Sequence, residues 1–162
     1  MLEERLDSKF PLHAAARTGD VEAMTQLLDG GAVVDAKKDG ATPLFVACQK
    51  GYVDAARLLL DKGAAVDRAV ERGKWKGATP LLIACEIGHV DAARLLLDKG
   101  AEVDRAQKQG ATPLYIACKN GHVDVARLLL EKGAEVNRAD ENGWTPLYIT
   151  CGYGHVLSLI HI

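Results

Sequence analysis

The side chains in this sequence best suited to metal or redox chemistry are four cysteines, Cys48, Cys85, Cys118 and Cys151, and three histidines, His89, His122 and His155. Zinc takes four such ligands, usually in pairs a few residues apart. Neither set is arranged that way. The cysteines stand 37, 33 and 33 residues apart, and each histidine follows a glycine with no cysteine or carboxylate pair at ligand spacing. Residues recurring at such a step fall in equivalent places of stacked units, and packed helices lie about 8–10 Å apart. A disulfide needs its two Cα atoms within about 6.8 Å. The cysteines therefore read as small buried side chains in an alanine-like niche, which Ala16 fills in the first copy. The histidines read as turn and cap residues, with Tyr52 in the equivalent place.

Nucleophilic chemistry has no better footing. Ser8 and Ser158 lie at the two ends of the sequence, and no glycine-rich phosphate loop follows a strand. Asp54-Arg57-Asp61, Asp91-Arg94-Asp98 and Asp124-Arg127-Glu131 place acid, base and acid at i, i+3 and i+7. That spacing puts them on one helix face, the first acid near the positive helix start and each arginine within reach of acids a turn away. Such a row is a solvated convex face rather than a catalytic one. The expectation is a non-enzyme with no cofactor and no metal.

The elements that position these residues repeat. Thr42-Pro43-Leu44 recurs as Thr79-Pro80-Leu81, Thr112-Pro113-Leu114 and Thr145-Pro146-Leu147, and a divergent copy begins at Pro11-Leu12-His13. Gly51, Gly88, Gly121 and Gly154 stay in phase, as do the Arg-Leu-Leu-Leu runs at Arg57, Arg94 and Arg127 and the Lys-Gly-Ala triplets at Lys62, Lys99 and Lys132. A period of this length means a repeat architecture. In each unit the threonine caps a helix that opens on proline and closes at the Gly51-type glycine. A second helix carries Val53, Ala56 and Leu58 to Leu60, and Gly63 stops it. Two short helices and a loop cannot bury their apolar faces alone, but stacked neighbours can.

The pattern G-x-TPL-x-x-A-x-x-x-G-H-V-D-x-x-x-LLL-x-x-GA-x-V resembles the ankyrin repeat over nearly the whole chain. The resemblance implies an all-α solenoid of stacked helix–turn–helix units with projecting β-turn or hairpin loops. It also implies protein binding through the loop tips and the concave face of the first helices. The units run approximately 8–40, 41–77, 78–110, 111–143 and a truncated 144–162, forming one domain over 1–162. Three departures stand out. The family's histidine after Thr-Pro-Leu survives only as His13, with Phe45, Leu82, Tyr115 and Tyr148 in the other copies. Phe10 replaces the first threonine, which suits a terminal capping unit. The second unit's loop is four residues longer than its counterpart at Gln107-Lys108-Gln109-Gly110.

The last residues break the pattern. Leu157-Ser158-Leu159-Ile160-His161-Ile162 stands where an acidic residue and a leucine run belong. It equals the translation of CTGTCTCTTATACACATC, which resembles a transposon-end adaptor of sequencing libraries. The expectation is a truncated reading frame whose fifth unit stops inside its second helix. That end should fray or self-associate in an otherwise monomeric protein.

Recognition is then sought where units differ. The long loop Val70-Glu71-Arg72-Gly73-Lys74-Trp75-Lys76-Gly77 sets a tryptophan between two lysines. Arg72, Lys74, Trp75 and Lys76 have the composition of an interface anchor, and the alternative is that Trp75 folds back over the adjacent loop. The variable positions expected on the concave face are Gln49 and Lys50, Glu86 and Ile87, Lys119 and Asn120, and Gly152 and Tyr153. To these are added the residues before each threonine, Ala41, Ala78, Ala111 and Trp144. Arg68, Arg105 and Arg138 along the loop bases suggest a basic edge, partly cancelled by Asp67, Asp104 and Glu71, hence an alternative of nucleic-acid or acidic-partner binding. Against nucleic acid stands the overall balance: 20 basic and 22 acidic residues leave a charge of −2, so no global field recruits a polyanion or an anionic membrane. The charged start, Met1 to Asp7, does not read as a signal peptide, and no apolar run approaches the ~20 residues of a membrane span. A cytoplasmic location is expected, with the nucleus second.

Overall fold

The computed structural model describes residues 9–154. Ser8, His155, Ser158 and the segment Leu157 to Ile162, each singled out above, lie outside the described residues, and so does the question of fraying there. Among the described residues there are nine helices: α1 Pro11–Thr18, α2 Val21–Asp29, α3 Pro43–Lys50, α4 Val53–Asp61, α5 Pro80–Ile87, α6 Val90–Asp98, α7 Pro113–Lys119, α8 Val123–Glu131 and α9 Pro146–Gly152. None is long and apolar enough to cross a membrane.

The helix starts follow from the repeated threonines. The hydroxyls of Thr42, Thr79, Thr112 and Thr145 accept from the amides of Phe45, Leu82, Tyr115 and Tyr148 at 3.2–3.3 Å. Each satisfies one of the four amides a helix start leaves open, and the following proline has none to satisfy. Phe10, lacking the hydroxyl, caps α1 without a side-chain bond.

Each unit pairs a first with a second helix, and successive pairs stack, α1, α3, α5, α7 and α9 in one row and α2, α4, α6 and α8 in another. The core lies between units. Leu44, Phe45, Ala47 and Cys48 are sealed, as are Leu81, Leu82, Ala84 and Cys85 and Leu114, Tyr115, Ala117 and Cys118. The loop that closes the same unit adds cover: the ring of Phe45 meets that of Trp75 at 6.5 Å, and the Tyr115 hydroxyl donates to Asp140. His13 bonds through Nε2 to the Ala41 carbonyl at 3.0 Å, while its buried Nδ1 has no partner. Burial is the main reason that its imidazole sits below its ordinary pKa. Burial likewise pushes the Cys48 thiol up to about 12 and the Cys85 thiol higher still.

Two expectations are corrected here. His89 and His122 stand at the N-cap positions of α6 and α8 as expected, but their side chains make no cap. Instead His89 Nε2 reaches the Gln49 carbonyl at 3.3 Å and His122 Nε2 the Glu86 carbonyl at 3.0 Å, each in the preceding unit. The acceptor is a carbonyl, so Nε2 carries the proton. The ring lies on the preceding unit's glycine: a Cβ on Gly51 would stand 2.7 Å from His89, and one on Gly88 would stand 2.7 Å from His122. Both glycines also have φ in the left-handed region, at 74° and 93°. The acidic ladder also pairs differently. Arg127 approaches Asp124 at 3.7 Å as expected, but Asp29, Asp61 and Asp98 accept from Lys62, Lys99 and Lys132 of the following unit at 2.6–2.7 Å. These pairs are exposed and screened, so they fix register more than they add stability.

The loops stack by the same logic. Asp35, Asp67 and Asp104 accept from the amides of Ala65, Glu102 and Glu135, one unit on, at 3.0–3.3 Å. The first loop is a two-residue hairpin in which Lys38 and Ala41 exchange both backbone bonds at 3.0 Å. Its turn residues Asp39 and Gly40 have φ of 54° and 85°, the signs a type I′ turn requires.

Cys151 departs from its counterparts. It is exposed, because α9 has no described first helix stacked beyond it.

Gly63 has φ of 90° but nothing within 4 Å of an added Cβ. Gly63→Ala should cost about 1–2 kcal/mol, the conformational term alone. Gly51→Ala should cost at least about 1 kcal/mol more, since the His89 ring must move. Urea titrations compare the two, and equal losses would show that the ring gives way freely. A thiol reagent should modify Cys151 alone in the native protein and four cysteines in denaturant; native reaction at Cys48 or Cys85 would contradict their burial.

Candidate functional site

The surface that packing leaves over begins at the carboxyl ends of the first helices. Each of α3 and α5 turns sharply at its glycine, so the two preceding residues face away from the second helix. Lys50, Ile87, Asn120 and Tyr153 are exposed there, and Gln49, Glu86 and Lys119 are half-buried beside them. Gly152 is exposed and offers no side chain. The Glu86 backbone carbonyl accepts from both His122 Nε2 and Asn120 Nδ2, the latter at 3.3 Å. Its carboxyl is held above the ordinary range by burial, opposed by the charges of Lys74 and Lys119. The Lys119 ammonium stands 5.8 Å from the Tyr153 ring centroid. Glu86 is thus bonded through its backbone to the fourth unit and feels the charge of Lys74 in the long loop of the second.

That loop folds back on itself. Val70 and Ala78 close it, with Val70 N donating to the Ala78 carbonyl at 2.9 Å and Gly77 N to the Val70 carbonyl at 2.7 Å. Trp75 does not project as a bare tip. Its indole is half-buried against the core, with the Phe45 ring on one side and the Lys74 ammonium 4.5 Å from its centroid. Of the two readings of Trp75, the geometry is that of the fold-back. The reason is Phe45: where the repeat carries a histidine, this unit offers an apolar ring for the indole to cover. Arg72 and Lys76 are exposed, with the Arg72 backbone lying against Gly40 of the preceding loop.

The residues before each threonine do not form a free row. Ala78 and Ala111 are buried and Ala41 half-buried, because each closes its own loop by a backbone bond. Trp144 differs, being 42% exposed with its ring 5.6 Å from that of Tyr148. Asp140 shapes the turn before it, accepting from the amides of Asn142 and Trp144 at 2.9 Å. The same carboxylate faces Tyr115, whose hydroxyl is pushed up to about 12 by burial first and the Asp140 charge second. Leu147, Tyr148 and Tyr153 extend the exposed apolar surface around α9.

The basic loop edge is largely matched. Arg68 approaches Asp35 at 3.7 Å, Arg105 approaches Glu102 at 3.3 Å, and Lys37 pairs with Glu71. Partial cancellation was expected from Asp67, Asp104 and Glu71; Glu71 pairs with Lys37, while the acids that meet arginines are Asp35, which recurs in phase with Asp67 and Asp104, and Glu102. Among the described residues no three His, Cys, Asp or Glu side chains converge as metal ligands.

Comparison with known proteins agrees with this geometry. A family model of ankyrin repeats, in three copies, matches residues 2–70 and 67–140. No curated protein matches the chain. The match spans the capped helix pairs, the left-handed glycines and the stacked loops described above, and the chain belongs to the ankyrin-repeat family.

Proposed function

We propose that the chain binds a partner protein through its inner face, from the long loop of the second unit across the ends of α3, α5 and α7 to Tyr153 and Trp144. Ankyrin repeats are general protein–protein interaction modules, and the family is typically non-enzymatic. The observation that carries the finer reading is a division of labour among positions. The residues that recur in the first helices and loops are largely consumed in capping and stacking, and the recurring exposed Asp and Arg residues lie on the second helices; Lys50, Ile87, Asn120 and Tyr153, which differ from unit to unit, are exposed at equivalent positions. Side chains freed from packing and presented by a rigid stack suit recognition. Ile87, Tyr153 and Trp144 supply apolar and aromatic contact of the kind that dominates binding energy. The matched charges along the loop edge speak against a nucleic-acid track. Unpaired thiols at Cys48, Cys85 and Cys118 suit a reducing compartment such as the cytoplasm.

Ile87→Asp and Trp144→Ala should each weaken capture of the partner at least about tenfold, as interface anchors do. Arg94→Glu, on the convex side, should leave it unchanged. Comparing pull-downs from the native source tests this, and equal loss with Arg94→Glu would sink the inner-face assignment. Trp75→Ala should lower stability by about 2 kcal/mol, less than the ~3–5 of a fully buried tryptophan. An unchanged urea midpoint would show that the indole is free for a ligand.

A further inference from the structure

The charge of the inner face is opposite to that of the chain. The protein as a whole carries −2. The inner face and its adjoining loop carry Lys50, Arg72, Lys74, Lys76 and Lys119, all exposed save the half-buried Lys119. Glu71 of the same loop is matched by Lys37, and Glu86 feels the charges of Lys74 and Lys119. Asp140, which accepts from the Trp144 amide and the Tyr115 hydroxyl, borders this face as a second acid; others that balance the chain lie in the stacked loops and on the second helices at Asp54, Asp61, Asp91, Asp98, Asp124 and Glu131.

Two of the cations are already ordered. The Lys74 ammonium is held over Trp75 and that of Lys119 near Tyr153. A long side chain fixed by an aromatic face loses less freedom when a ligand arrives. Both ammonium groups act on the single half-buried Glu86 carboxylate, which can neutralise only one of them. The exposed apolar side chain of Ile87 follows Glu86 directly.

Resting on the inner-face reading above, we propose that this surface binds an extended acidic segment of the partner protein. Its carboxylates approach Lys74 and Lys119 on either side of Glu86, and an apolar side chain lies against Ile87 and Tyr153. The cations form a patch rather than a stripe, because two of the three arginines that would prolong them along the loop edge, Arg68 and Arg105, are paired with Asp35 and Glu102. A short carboxylate-bearing segment matches a patch; a nucleic-acid backbone needs a track. The geometry also sets the ligand's length. Equivalent positions on stacked helices step by about 8–10 Å, and an extended chain rises about 3.3 Å per residue. Lys50 to Tyr153 is three steps, so about nine residues span the face, with contacts recurring about every third residue.

The test is a selection from a display library of random 12-residue peptides against the full chain, followed by affinity measurements on the enriched peptides. Acidic sequences should be enriched and should bind more weakly as salt rises. Lys119→Glu should weaken them at least about tenfold, and Glu86→Gln should tighten them several-fold by removing the competing carboxylate. Neutral or basic enriched peptides, or weakening by Glu86→Gln, would overturn the acidic assignment; if those peptides still lose affinity with Ile87→Asp, the inner face stands as the binding surface. Peptides indifferent to both Ile87→Asp and Lys119→Glu, or no enrichment, would overturn both. Stronger competition by a 20-residue thymidine oligonucleotide than by the acidic peptides would replace the proposal with nucleic-acid binding. Circular dichroism of each variant separates a lost site from a lost fold.

Discussion

A helix pair as short as Pro43–Lys50 and Val53–Asp61 has no interior of its own, and the rest of the structure follows from that constraint. Its apolar side chains become buried only when another pair lies on each side, so what would be a core in a globular domain is here a series of interfaces. The two interfaces that join the second, third and fourth units are each fixed by three unlike contacts. A ring rests on a left-handed glycine and donates to a carbonyl, a lysine reaches the aspartate closing the neighbouring second helix, and a loop aspartate takes a backbone amide. The first needs a close backbone approach, the second tolerates movement, and the third aligns the loops. Together they leave little freedom in how one unit sits on the next.

The same constraint divides the sequence between architecture and recognition. A residue that must face a neighbouring unit cannot vary without cost, which is why Thr42, Gly51 and Leu59 have near-identical counterparts in later units. A side chain at the exposed end of a first helix, such as Lys50 or Ile87, is not enclosed by the next unit. The long loop belongs to both classes, since Val70 and Trp75 anchor it to the core while Arg72, Lys74 and Lys76 stay at its surface. An inserted loop held by its own apolar residues can present charges in a fixed place, which a loose insertion could not do.

The fold was legible because its signals are local. A capping threonine, a proline at the first helical turn and a glycine at the last act within a few residues, and their recurrence sets the period. What stayed hidden depends on contacts between units. The lysine–aspartate pairs join residues 33 to 38 positions apart, so the aspartates looked like partners for arginines on their own helix. The histidines looked like caps because their acceptors lie in the preceding unit. Trp75 stayed ambiguous because its exposure depends on Phe45, whose ring takes the place of a histidine. Ala78 and Ala111 looked variable-face residues beside Trp144, yet their loops close over them. For the inner face, the exposed ends of the first helices were readable from the glycine position, and the Lys74–Glu86–Lys119 grouping was not, since it brings together a loop and two successive helices.

The helix contacts described above run from each unit to its neighbours, with mechanical consequences. A pull applied along the stack is borne by one interface at a time, as in a row of slates rather than a woven cloth. The outermost unit has a neighbour on one side only and peels first. A unit of roughly 33 residues, once detached, pays out on the order of 110 Å of chain at about 3.4 Å per residue. The intact remainder stays stacked through its own interfaces, so such a protein can lengthen severalfold under load while its inner units keep their order.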